Sequence, residues 1–148
     1  MYKHILIATD GTESAAKAVR QGLALAKALG AKVTAATVSE PWNFVLAALA
    51  ERRHRPESLA DYDKCRDAAA ERIFWGVHQV ANRLDQACAT VHIKDRPPAD
   101  GILEAAHAHG CDLIVMGSHG RRGFAKLLLG SQTSRVLALS ATPVLVCR

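Results

Sequence analysis

Apolar positions along this chain follow two alternating rhythms. Residues 4–9, His-Ile-Leu-Ile-Ala-Thr, form a short continuous apolar run closed by Asp10-Gly11. Such a run suits a strand buried on both faces that ends in a turn. The next stretch changes period: Ala15, Val19, Leu23, Ala26 and Leu29 recur on one helical face, opposite Lys17, Arg20 and Lys27. Thr12 or Ser14 can cap this helix and Gly30 stops it. Residues 32–39 mix small and β-branched side chains and predict a second strand, broken at Pro41.

The alternation continues to the end of the chain. Residues 41–56 hold the apolar run 44–50 followed by Glu51-Arg-Arg-His-Arg-Pro56, which fits a lid-like loop with a helical turn. From about Glu57 to Gln86, the spacing of Leu59, Ala69, Ile73, Val77, Val80, Ala81 and Leu84 predicts a long helix. Residues 89–94 alternate as a third strand, and Pro98 can open a helix carrying Ile102, Leu103 and Ala106 to a stop at Gly110. Residues 112–117 are the clearest buried strand, residues 131–139 a short helix, and residues 143–147 a closing strand. Strand and helix in repeated succession predict one doubly wound α/β domain over residues 1–148, a five-stranded parallel sheet with helices on both faces.

Charge narrows the partner. The 19 basic residues exceed the 14 acidic ones, yet the excess is confined to the segment after Asp112, where Arg121, Arg122, Lys126, Arg135 and Arg148 meet no acid. Aromatic residues are 5% of the chain and do not interleave with basic ones, as a base-stacking platform would require. A small anion is therefore expected, and no nucleic acid. With no long apolar span or signal-like N-terminus, the expected location is cytoplasmic, with no membrane partner. The four cysteines have no zinc-like spacing and are expected as free thiols, most of them buried.

The candidate chemistry lies between the fourth strand and the helix from residue 131. Gly117-Ser-His-Gly120, nine residues, then Gly130-Ser131 place glycines and a hydroxyl where backbone amides can approach phosphate oxygens. The start of a helix adds unpaired donors and the positive end of its dipole, and Ser131 can both cap that helix and bond a phosphate. Arg121, Arg122 and Lys126 surround the loop. Asp10, at the tip of the first strand, suits either Mg2+ or a ribose hydroxyl, or else a cap for the first helix. His119 is a lone histidine expected on an exposed loop.

The spacing Gly117, Gly120, Gly130, Ser131 resembles the Gly-x2-Gly-x9-Gly-Ser/Thr signature of the universal stress protein family, in its ATP-binding branch. The similarity extends to the opening Ile5-Leu-Ile-Ala-Thr-Asp-Gly11, the block from Asp112 to Gly120, the Gly130-Ser-Gln-Thr-Ser-Arg-Val136 segment and the closing Pro143-Val-Leu-Val146. That resemblance implies a sheet ordered 3-2-1-4-5 and ATP, with Mg2+, at the strand tips. Ala8, Thr9 and Asp10 then face the nucleotide, Val38 contacts adenine, and Met116, Gly117, Ser118, His119 and Gly120 with Gly130, Ser131 and Gln132 hold ribose and phosphates. It also implies a homodimer paired through the final strand. Two departures stand out: Gln132 occupies a place where a small apolar residue is more usual, and Asp95-Arg96-Pro97-Pro98 replaces a glycine-containing turn.

Rival motifs fail on spacing. No Gly-x4-Gly-Lys-Ser/Thr or Gly-x-Gly-x-x-Gly string occurs. Ser118 superficially fits a nucleophile elbow, but no acid follows Asp112 and no histidine follows His119, so a Ser-Asp-His order built on Ser118 is excluded. His107 and His109 lie two apart on a helix and face apart, against a shared metal. Trp42, Phe44, Phe74 and Trp75 read as core or interface. The function expected is an ATP-dependent stress or signalling module without efficient turnover; the alternative is a slow ATPase or a nucleotidyl- or phosphoryl-transfer enzyme on the same fold.

Overall fold

The computed structural model describes residues 1–43, 58–119 and 129–148. Five strands, β1 (His4–Ala8), β2 (Lys32–Ser39), β3 (Ala89–Lys94), β4 (Leu113–Gly117) and β5 (Val144–Cys147), form one sheet in the order β3-β2-β1-β4-β5. Every pairing is parallel, with Ile5 beside Val33 on one side and Leu113 on the other. Among the described residues, four complete helices pack on the faces: α1 (Glu13–Leu29), α2 (Leu59–Arg83), α3 (Pro98–Ala108) and α4 (Ser131–Leu139). The expected architecture and strand order are both present.

The two-residue period of β1 separates two cores. Ile5 and Ile7 pack with Val19 and Leu23 of α1 and Val77 and Ala81 of α2, while Leu6 and Ala8 pack with Ile102 and Ala106 of α3 and Val136 of α4. A strand with a core on each side must be apolar throughout, which is why residues 5–8 read as a continuous run. Thr12 is the cap of α1, its hydroxyl accepting from the Ala15 amide at 3.3 Å. Gly30 ends the helix at φ 65, a left-handed conformation that costs glycine little.

Some expectations shift in detail. In α2 the buried side chains are Tyr62, Ala70, Val77 and Ala81, whereas Leu59 is 54% exposed and Ala69 only half-buried. The run Ala68-Ala69-Ala70 offers three equal side chains, so the pattern there cannot phase the helix. Trp75 is 67% exposed and so is not core; Trp42 packs against Tyr62 with ring centroids 5.1 Å apart, and Phe74 is half-buried. Of the four free thiols, Cys111 and Cys147 are buried, Cys88 is intermediate and Cys65 exposed, fewer buried than expected. Burial pushes the Cys88 and Cys111 thiols up to about 11, which keeps them protonated and unreactive. Phe44 and the lid-like loop from residue 44 to 56 lie outside the described residues.

Asp112 fastens the far end of the sheet. Its carboxylate accepts from the Lys3 amide at 2.8 Å and the His4 amide at 3.0 Å, which sets β1 beside β4. The His4 and Lys3 amides hold the carboxyl below its usual range. A depressed folded value stabilises above the unfolded value, about 4, and that stabilisation is lost as pH falls through the folded one. Asp112→Ala is therefore expected to lower the urea midpoint fully at pH 7, with the gap to the unsubstituted protein closing below about pH 4. Urea titrations from pH 7 to pH 3 check this; a gap independent of pH would contradict it.

Candidate functional site

The strand order reverses between β1 and β4, and their carboxyl ends lie side by side there. Open α/β sheets bind ligands in the crevice beyond such a point. Thr9 continues β1, its amide donating to Ala36 O at 2.9 Å and its hydroxyl accepting from the Gly11 amide at 3.3 Å. Gly11 turns the chain at φ 79 into α1. Asp10 Oδ1 accepts from Thr12 at both the amide, 3.0 Å, and the hydroxyl, 2.6 Å. Asp10 therefore does not cap α1 itself: Thr12 does, and Asp10 braces Thr12.

Gly117 is explained by packing. A Cβ there would lie 2.6 Å from Ser14 Oγ and 2.9 Å from the Ser14 carbonyl group, so only glycine lets α1 approach the tip of β4 this closely. Ser14 also accepts from the His119 amide at 3.3 Å. By sequence Ser14 is only a possible cap; no local pattern signals its contact with β4.

Several amides assigned to phosphate oxygens are already bonded to protein. The Ser118 amide donates to Cys147 O at 2.9 Å and the Gly130 amide to Ser118 O at 2.7 Å, so residues 118 and 130 close the base of the loop. Among the described residues, the donors left at the crevice are those of α4. Gly130 stands at its cap position with φ −56 and ψ 150, and the first bond back into the helix runs from Ser134 N to Gly130 O at 2.9 Å. Ser131 is thus the first helical residue and not the cap as expected; α4 has no side-chain cap bond, and the amides of its first turn point out of the helix.

Other contacts fix this helix end. The buried Thr133 hydroxyl donates to Gly117 O at 3.0 Å. Gln132 Oε1 accepts from the Ala99 amide at 3.1 Å, and Arg135 pairs with Asp100 at 3.1 Å, so α4 and α3 begin side by side. The unusual glutamine therefore ties two helix starts together. Val38 lies on the α3 face, where a Cβ on Gly101 would come within 2.8 Å of its Cγ1. The turn at residues 95–98 is held by Arg66 to Asp95 at 2.7 Å and Arg96 to Glu104 at 3.0 Å, with Asp95 at φ 58. Met116 and Ser118 are buried.

His119 is half-buried, contrary to the exposed position expected; its Nδ1 lies 2.9 Å from Ser118 Oγ, and its buried Nε2 has no partner among the described residues. Gly120, Arg121, Arg122 and Lys126 lie outside the described residues. No group of three His, Cys, Asp or Glu side chains able to hold a metal occurs among those described, and no described helix is long and apolar enough to cross a membrane.

The model of the universal stress protein family matches residues 1–148. The chain belongs to the universal stress protein family. It is 33% identical over 154 residues to a universal stress protein of Thermus aquaticus, covering all of both chains, and 32% identical to universal stress protein MJ0531 of Methanocaldococcus jannaschii, covering all of this chain and 83% of that one. Among solved structures, hypothetical protein MJ0577 has a TM-score of 0.80 at 24% identity, covering 99% of this chain and 96% of that one. A universal stress protein in complex with cAMP has a TM-score of 0.69 at 24% identity, over 99% and 97% of the two chains. One from Archaeoglobus fulgidus in complex with dAMP has 0.62 at 16%, over 99% and 98%. At these identities the three structures establish the shared fold, and two of those proteins hold adenine nucleotides.

Proposed function

We propose that this universal stress protein binds ATP at the tips of β1, β2 and β4 and uses occupancy to set its conformation or its partners as a stress or signalling module. The observation that carries this reading is the start of α4: its first-turn amides emerge uncapped at the switch point of the sheet, clamped there by Thr133 and Gln132. Uncapped amides with the helix dipole behind them attract phosphate. Ser131, Gln132 and Thr133 would supply amides to the phosphates, with the Ser131 hydroxyl and the basic side chains Arg121 and Arg122 added. Ala8, Thr9 and Asp10 would line the nucleoside, Val38 would meet adenine, and Met116 to Gly120 would form the floor. Mg2+ is commonly held by one or two carboxylates together with phosphate oxygens, and Asp10 would supply one such carboxylate.

The same reading makes the chain a single nucleotide-binding domain acting in the cytoplasm as a homodimer. β5 is an edge strand, and Leu145 on it is 39% exposed, as an edge awaiting a partner strand would be. Calorimetric titration with ATP and Mg2+ tests the binding claim: saturable binding at one ATP per chain is expected, and no binding at millimolar ATP would end it. A monomeric mass in solution at micromolar protein would overturn the dimer.

A further inference from the structure

At the tip of β2, on the face of the sheet that carries α1 and α2, we infer that Ser39, His92 and Asp67 form an activated serine nucleophile with its base and orienting acid, suited to acyl transfer from small esters. Ser39 ends β2, His92 stands in β3 beside Thr37, and Asp67 reaches them from α2. Ser39 Oγ is 2.7 Å from His92 Nε2, and His92 Nδ1 is 3.4 Å from Asp67 Oδ1. The chain order is Ser, Asp, His, one of the orders in which hydrolytic triads occur. Residues with these roles are recognised by mutual geometry more than by sequence position.

The neighbouring charges favour one arrangement of the protons. Lys94 Nζ lies 2.5 Å from Asp67 Oδ1 and keeps that carboxyl ionised, so Asp67 offers only acceptors to the ring and favours the tautomer with the proton on Nδ1. The His92 side chain is 14% exposed, and burial keeps the ring neutral near pH 7. Its Nε2 therefore offers a lone pair, and the Ser39 hydroxyl donates to it. In the reaction the Ser39 Oγ–C bond forms as the ester C–O bond breaks. The hydroxyl proton passes to His92 Nε2 and from there to the departing alkoxide, and water then hydrolyses the acyl-serine by the reverse proton path. A polar latch joining β2, β3 and α2 would show the same contacts without reactivity.

Diisopropyl fluorophosphate separates the two, acting on the full chain without nucleotide, so that its outcome is independent of ATP binding. Attack forms an O–P bond at Ser39, breaks P–F and releases fluoride, with the proton passing to His92. One adduct per chain, mapped to Ser39 by peptide mass, is expected, absent in Ser39→Ala and slowed roughly 100-fold or more in His92→Gln, as loss of a general base predicts. The rate should rise with pH through one ionisation below the ordinary imidazole value of about 6.5. The groups facing that ring are Asp67 and Arg66 of α2, Lys94 of β3 and Ser39 of β2. No adduct, an adduct elsewhere, or His92→Gln labelling at the unsubstituted rate would overturn the inference. Should His92→Gln not fold, the pH profile of the unsubstituted protein decides: a rate flat across that range would overturn it equally.

Discussion

Replacing Ser131 with proline is expected to leave the fold intact and weaken ATP binding roughly 100-fold or more, since it removes two donors worth about 1.5–3 kcal/mol each against a charged group. The backbone is ready for it. Ser131 is the first residue of α4, where proline fits because the amide has no partner inside the helix. Gly130 before it sits at φ −56 and ψ 150, the extended region that a residue preceding proline adopts. Thermal unfolding should therefore move little while the calorimetric Kd rises. Ser131→Ala, which keeps the amide and loses the hydroxyl, should fall between the two. Unchanged affinity in the proline variant would remove α4 from the proposed site.

Gly117→Val should have the largest effect on stability, a loss on the order of 3 kcal/mol, the upper range for overpacking a close contact. The atoms a Cβ would meet include the carbonyl carbon and oxygen of Ser14, each at 2.9 Å, and backbone gives way less readily than the end of a side chain. Gly117 is itself buried in β4 between β1 and β5. Relief requires α1 to move off the sheet, and α1 carries Val19, Leu23 and Ala26 of one core. The shift of the urea midpoint measures the cost. A variant of undiminished stability would mean that this glycine is present for another reason, such as close approach of a ligand.

These two positions show which parts of the molecule the sequence makes legible. β1 and β4 stand out because a parallel strand with a core on both sides is an unbroken apolar run, as in residues 5–8 and 113–116, whereas the edge strand β3 is legible through its alternation. Thr12 and Gly30 mark the ends of α1 by local chemistry alone. The glycine spacing likewise locates the loop between β4 and α4. It does not say what each glycine does, because the constraint on Gly117 comes from Ser14, far away in the chain. Ser131 reads as a cap from composition, but the chain enters α4 with Gly130 extended at the cap position. The amides of Ser118 and Gly130 serve the protein's own carbonyls, a use that spacing cannot reveal. Ser39, Asp67 and His92 share no local pattern: β2, β3 and α2 must first be assembled before the serine meets its histidine.

The central claim, that the first turn of α4 receives the phosphates of ATP, is tested most directly by titrating 15N-labelled protein with ATP and Mg2+ and following backbone amide resonances. The account predicts saturable shifts at Ser131, Gln132 and Thr133, weaker with AMP than with ATP. The amides of Lys3 and His4, at the Asp112 end of the sheet, should stay unmoved. Saturable binding with the resonances of Ser131 to Thr133 unchanged would contradict it.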